Sequence, residues 1–221
     1  GRAQTKAAGL REGEPRLFYS NLLIIRTCGE KAEFGTITSG HEHFYAWKDI
    51  WAESRRTYRP PLGIEREQER MIQGLLAPDT LLHVLRTCTV FMDDGKRVKA
   101  ICRYQQYRAA CRILERLRAG KTAVERSGVV WHTQGSGKSL TMVFVARMLR
   151  ASADLSDFKI VMVNDRIDLE DQLAATAKLI GGKVNVIEST AQLREHLSTD
   201  ASDVNMVMVH KFMERTEEMP L

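Results

Sequence analysis

The residues best suited to chemistry lie in one octet, His132-Thr133-Gln134-Gly135-Ser136-Gly137-Lys138-Ser139. Holding a row of phosphate oxygens takes backbone N–H groups that converge on them. Convergence in turn takes glycines that accept positive φ and leave room. Gly135 and Gly137 meet that need. Lys138 brings a point charge for the β- and γ-phosphates, and Ser139 a hydroxyl for Mg²⁺. Thr133, Gln134 and Ser136 lend the remaining amides. The octet reads as a P-loop, with ATP and Mg as the expected ligands. Lys138 and Ser139 are the candidates for acting on the phosphates. One position departs from the G-x-x-x-x-G-K-[ST] pattern, since His132 stands where the first glycine would be. A chance Gly-Ser-Gly-Lys turn is the plainer alternative.

The flanking elements favour the cradle, which sits where a buried strand turns into a helix whose N-terminus faces the phosphates. Gly128–Trp131 is expected to be that strand and Ser139–Leu149 the helix. A helix is expected before them over Gln105–Ala119, with Ala109, Ile113, Leu114 and Leu117 at helical spacing. Beyond the loop, strands are expected over Lys159–Val163, Lys183–Ile187 and Val204–Val209, and helices over Asp168–Ile180 and Thr190–Leu197. Short strands separated by helices imply parallel βαβ units, which the sequence follows through a fourth strand.

The front of the chain reads differently. Asn21–Arg26 and Glu33–Thr38 are expected to form an antiparallel pair across a turn at Cys28–Lys31, followed by a helix over His41–Trp51. Residues 55–63, with three arginines, Pro60-Pro61 and Gly63, suggest a connector. Helices are expected over Ile64–Leu76 and Leu81–Arg86, the second capped by Asp79 or Thr80. Thr89–Met92 and Arg97–Ile101 should form a hairpin around Asp93-Asp94-Gly95-Lys96.

Bulk properties narrow the class. Of 221 residues, 43% are hydrophobic and 28% charged, an ordinary globular balance. The formal net charge of +5 mildly favours a polyanionic partner, and it reads as spread along the chain rather than concentrated in a tail. Four scattered cysteines without a CxxC pair support neither structural zinc nor a redox motif, and free thiols in a cytoplasmic setting account for them.

Three further segments carry a family resemblance. Arg103-Tyr104-Gln105-Gln106-Tyr107-Arg108-Ala109-Ala110 resembles the Q motif of superfamily 2 helicases, which implies that Gln106, or else Gln105, reads the adenine edge. Asn164-Asp165-Arg166-Ile167-Asp168-Leu169 looks like the motif Ia region, which implies Arg166 against DNA phosphate. Asp165 or Asp168 capping a helix is its plainer reading. Val207-Met208-Val209-His210-Lys211-Phe212 resembles the segment before the acidic motif of type I restriction motor subunits, which makes Lys211 a second DNA candidate. Pro15–Phe18, Asn21–Ile24, Phe34–Thr38 and Glu42–Lys48 look like the end of that subunit's nuclease domain.

The resemblance implies an α/β chain in three parts. Residues 1–54 would be the C-terminal part of a nuclease-like domain and 55–98 a connector. Residues 99–221 would be a first RecA-like motor domain on a parallel sheet, ending before its Walker B motif. The implied partners are double-stranded DNA and the modification and specificity subunits of a restriction complex. Ile160–Asp165 imitates a Walker B strand but fits the earlier position better. A metabolite kinase would account for Lys138 and Ser139 but not for Gln106 or Arg166. A non-catalytic module that couples nucleotide to DNA is a further alternative.

Overall fold

The structure is a computed structural model that describes residues 16, 20–28, 30–48, 66–164, 178–181, 184–199 and 201–209. Its contacts divide the chain into two units, Gly1–Ala109 and Ala110–Leu221.

In the first unit the expected strand pair forms as β1 (Ile24–Thr27) and β2 (Ala32–Gly35), antiparallel, with Arg26 facing Glu33. That pair is locked by a 2.8 Å bond from Arg26 Nε to the Glu33 carboxylate, and the Arg26 guanidinium lies 4.0 Å from the centre of the Phe44 ring. The helix expected over 41–51 does not form. A single 3₁₀ turn at His41–His43 leads instead into β3 (Tyr45–Ala46), which pairs with β2. The reason is tertiary. Pairing Tyr45 with Phe34 delivers Trp47 into the core, 5.7 Å from the Phe34 ring and 5.6 Å from the Tyr107 ring.

The stretch expected to be a connector supplies part of this core from residue 66 onward. Helix α1 (Glu67–Gln73) is tied to the sheet by the Ala32 N–H donating to the Glu67 carboxylate, and Met71 and Leu75 are buried. Helix α2 (Pro78–Thr87) starts on Pro78 rather than on a cap from Asp79 or Thr80. Proline suits a first turn because its missing N–H would have no partner there. The hairpin forms as β4 (Thr89–Asp94) and β5 (Lys96–Ile101), with Gly95 at φ +67° at its tip. Thr36 and Thr38 hydroxyls clamp the Lys99 backbone carbonyl, and burial pulls the Lys99 ammonium below its usual pKa.

The division between units falls inside helix α3 (Tyr104–Ala119). In the second unit a short helix α4 (Ala123–Arg126) follows, closed by a capping box between Thr122 and Glu125. Next come α5 (Lys138–Ala151), β6 (Ile160–Asn164), β7 (Val184–Ile187), α6 (Thr190–Ser198) and β8 (Val204–Met208). The strands form a parallel sheet in the order β6-β8-β7, as the alternation of elements implies. Central β8 is buried throughout. On edge strand β6, Val161 and Val163 are exposed. The Arg150 guanidinium stitches the loop between α5 and β6, donating to the carbonyls of Ser156, Phe158 and Asp203.

One expectation fails here. Gly128–Trp131 joins no ladder among the described residues, and Val129 and Trp131 are 91% and 89% exposed. A Val-Val-Trp run fits a pleated, half-covered surface, but a strand exists only where a neighbour takes its N–H and C=O groups. The helix expected over Asp168–Ile180 lies almost wholly outside the described residues.

Candidate nucleotide site

The loop before α5 has the backbone a phosphate cradle needs. Gly135 and Gly137 adopt φ +73° and +80°, in the left-handed region that side chains disfavour. A Cβ added at Gly135 would meet nothing within 4 Å, so conformation rather than space demands glycine there. Ser136 is buried and closes the turn, its hydroxyl donating to the Thr133 carbonyl at 2.7 Å.

Gly137 then serves as the N-cap of α5 with no side-chain cap, and the first turn carries no acidic residue. No side-chain cap reaches the start of this fourteen-residue helix among the described residues, and the helix dipole adds partial positive charge there. Lys138 is exposed and folds back over the loop, its ammonium 3.3 Å from the His132 carbonyl and 3.2 Å from that of Thr133. Ser139 is exposed on the same turn. The Thr141 hydroxyl and amide both donate to the Gly137 carbonyl, which fixes the loop-to-helix junction. Glycines at positive φ, uncapped amides, an ammonium and a hydroxyl are the groups that a triphosphate and its magnesium ion require. The residues present fit that ligand.

Beside the loop, α5, Val130, His132 and β6 line an apolar cleft of about 370 Å³. The His132 Nδ1 is buried there without a partner among the described residues. The glycine-to-histidine departure noted in the sequence therefore places a half-buried ring at the mouth of the cleft, not a disrupted loop.

The other candidates distribute unevenly. Gln106, in the first unit, is 3% exposed, and its Oε1 accepts the Arg103 N–H at 2.8 Å, which caps the start of α3. Gln105 is half-buried, and its amide makes no hydrogen bond among the described residues. Of the two, Gln105 has the freer side chain. Arg166 and Lys211 lie outside the described residues, as does Asp168. The helix α4 was missed by periodicity because it is one turn long, although Thr122-Ala123-Val124-Glu125 carries the capping-box signature openly.

Among the described residues no helix is long and apolar enough to cross a membrane. A family model described as SWI2/SNF2 ATPase matches residues 105–221, slightly more than half the chain. The chain is 33% identical over 211 residues to the HindI type I restriction enzyme endonuclease subunit of Haemophilus influenzae, covering 91% of itself and 20% of that relative. It is 23% identical to the putative MjaIXP endonuclease subunit of Methanocaldococcus jannaschii, covering 92% of itself and 21% of that protein. The C-terminal part of a putative type I restriction enzyme, MpnIIP, from Mycoplasma pneumoniae is 31% identical over 145 residues, with 62% of this chain and 68% of the relative covered. The chain spans about a fifth of the first two relatives. Taken with the loop, these matches mean that the chain belongs to the endonuclease subunits of type I restriction enzymes and carries SWI2/SNF2 ATPase sequence from residue 105.

Proposed function

We propose that this chain is a portion of an ATP-driven DNA-translocating restriction subunit and that its P-loop binds the driving nucleotide. The reading assigns residues 1–54 to the end of a nuclease-like domain, 55–98 to a connector and 99–221 to the first RecA-like motor domain. Support comes chiefly from one observation: the uncapped N-terminus of α5 opens directly beneath two glycines at positive φ, with Lys138 and Ser139 on its first turn.

Amides from Thr133 to Ser139 hold the triphosphate, and the Lys138 ammonium leaves the loop carbonyls for the β- and γ-oxygens. The Ser139 hydroxyl holds Mg²⁺, which supplies charge neutralisation for phosphoryl transfer. Gln105 or Gln106 reads adenine, while Arg166 and Lys211 approach the phosphates of double-stranded DNA. Modification and specificity subunits join the assembly, which works in the cytoplasm.

Replacing Lys138 by Ala in the intact protein tests the central assignment. ATP hydrolysis and translocation should both fall by at least about 100-fold, since a lost contact to transition-state charge costs roughly 3 kcal/mol or more. Wild-type rates for both would remove the loop from the mechanism.

A further inference from the structure

Three buried side-chain nitrogens lack a hydrogen-bond partner among the described residues: Trp47 Nε1, His132 Nδ1 and Asn205 Nδ2. Two of them sit in closed packing. A Cβ added at Gly74 would lie 2.5 Å from the Trp47 nitrogen, so backbone already presses on that side of the ring. Asn205 is fully buried on the central strand, and its amide keeps one contact, its Oδ1 accepting from Asn185 Nδ2 at 3.1 Å. Of the three, only His132 borders open space, the cleft of about 370 Å³ beside the phosphate loop.

In either neutral tautomer Nδ1 donates or accepts one hydrogen bond, and leaving it unmet away from water is costly. An enclosed water is a poor answer, since such a water needs two to four polar neighbours. The other polar side chains along this cleft are Lys138 and Thr141. Lys138 rests on the His132 and Thr133 carbonyls, and Thr141 donates to the Gly137 carbonyl. The rest of the lining is apolar, and the space admits a whole side chain.

The same residue also touches the loop's key cation. Its carbonyl lies 3.3 Å from the Lys138 ammonium. Ring and carbonyl meet at one Cα, so a bond that fixes the ring also steadies the carbonyl. A glycine at this position, as the P-loop pattern has it, would offer nothing to hold. A ring that only filled space could be leucine, which buries no nitrogen.

We infer that His132 is a positioning residue of the nucleotide site. A polar group of the intact subunit enters the cleft and bonds to Nδ1, holding the ring and, through the backbone, the carbonyl on which Lys138 rests. Relatives of which this chain spans about a fifth have ample further sequence to supply that group. The inference rests on the phosphate-binding reading of the loop, and it gives the residue that breaks the pattern a part in it.

The test is binding of a fluorescent ADP derivative with Mg²⁺ to the intact protein, read by anisotropy, in four variants of His132. Asparagine places an amide where Nδ1 stands, glutamine reaches towards Nε2, leucine keeps bulk alone and glycine restores the pattern. H132N should bind within about threefold of wild type, whereas H132Q, H132L and H132G should bind roughly 10-fold more weakly. ATP turnover should follow the same order. Wild-type affinity in H132L or H132G shows the ring to be filler and overturns the inference. H132N as weak as H132L takes the contact away from Nδ1 and overturns it equally. If the leucine and glycine variants do not fold, H132N against H132Q decides, and equal affinity in those two overturns it. Failure of H132N itself to fold does the same, because the amide retains the contact. K138A that binds and hydrolyses like wild type removes the loop from the site, and this inference with it. An impaired K138A beside an unimpaired H132L removes this inference alone.

Discussion

Two tryptophans show how differently the two units are finished. Trp47 is 2% exposed, with Phe34 and Tyr107 against its ring, whereas Trp131 is 89% exposed on a segment that joins no strand among the described residues. The first unit contributes a three-stranded sheet, two helices and a hairpin, and Phe34 and Tyr107 lie against Trp47. Around Trp131 the described parallel sheet ends at β6, which presents Val161 and Val163 to solvent, and the run Val129–Trp131 joins none of its strands. Both tryptophans directly follow apolar residues in sequence, Phe44–Ala46 and Val129-Val130. Burial is thus decided by how many elements arrive, and the exposed tryptophan is the one that adjoins the candidate nucleotide loop.

The widest separation between them should appear in stability. Trp47→Ala is expected to cost about 3–5 kcal/mol in urea unfolding, as large-to-small changes in packed cores do. Trp131→Ala in this same 221-residue chain should stay within about 0.5 kcal/mol, as at other open positions. Equal losses at both sites would break the comparison. The Trp47 Nε1 is buried with no acceptor among the described residues, so Trp47→Phe should cost far less than Trp47→Ala.

A more local probe of the first unit is Gly74. A Cβ there would lie 2.4 Å from the Trp47 Cδ1 and 2.6 Å from the Arg70 carbonyl oxygen, inside contact distance. Gly74→Ala should therefore destabilise by about 1–3 kcal/mol, read from the shift in denaturation midpoint. An unchanged midpoint would mean the ring has slack that this packing does not show.

The gentlest test belongs to the second unit. The Arg118 guanidinium holds the Asp154 carboxyl below its usual value of 3.8, and the same pairing raises the arginine. Because the folded value is depressed, the pair's contribution is complete above pH 3.8 and fades as pH falls through the lower, folded value. Both side chains are about half exposed, so the effect is small and salt-screened. Carbon NMR should find the Asp154 midpoint moving back up in Arg118→Gln. A midpoint that does not move would show the pair to be ornamental.

How far the sequence could be read follows the same division between local and borrowed order. Helices α3 and α5 were legible because their apolar residues recur at helical spacing and both carry long runs. The Asp-Asp-Gly-Lys turn announced its hairpin, and Gly135, Gly137 and Lys138 announced their loop, since these conformations depend on residue type. What could not be read was whatever depends on a distant partner. The segment from His41 to Trp51 reads as a helix, yet Phe34, eleven residues earlier than Tyr45, draws Tyr45 into a strand. Val129–Trp131 has strand composition, yet composition cannot provide the neighbour. Gln106 resembles a base reader, and nothing in its local sequence reveals that its oxygen is already spent on the Arg103 amide.

The lysine at the head of α5 has a resting place of its own. With its ammonium against two backbone oxygens at 3.2 and 3.3 Å, the loop is neither collapsed nor splayed by an unmatched charge. Those contacts are long for hydrogen bonds and lie near the exterior, so on the proposed function an incoming polyphosphate would displace them at little energetic penalty. Departure of product would be cushioned likewise, because the oxygens of His132 and Thr133 would recapture the freed ammonium. A loop furnished this way would, on that reading, cycle between loaded and unloaded forms by swapping one set of oxygens for another, without refolding.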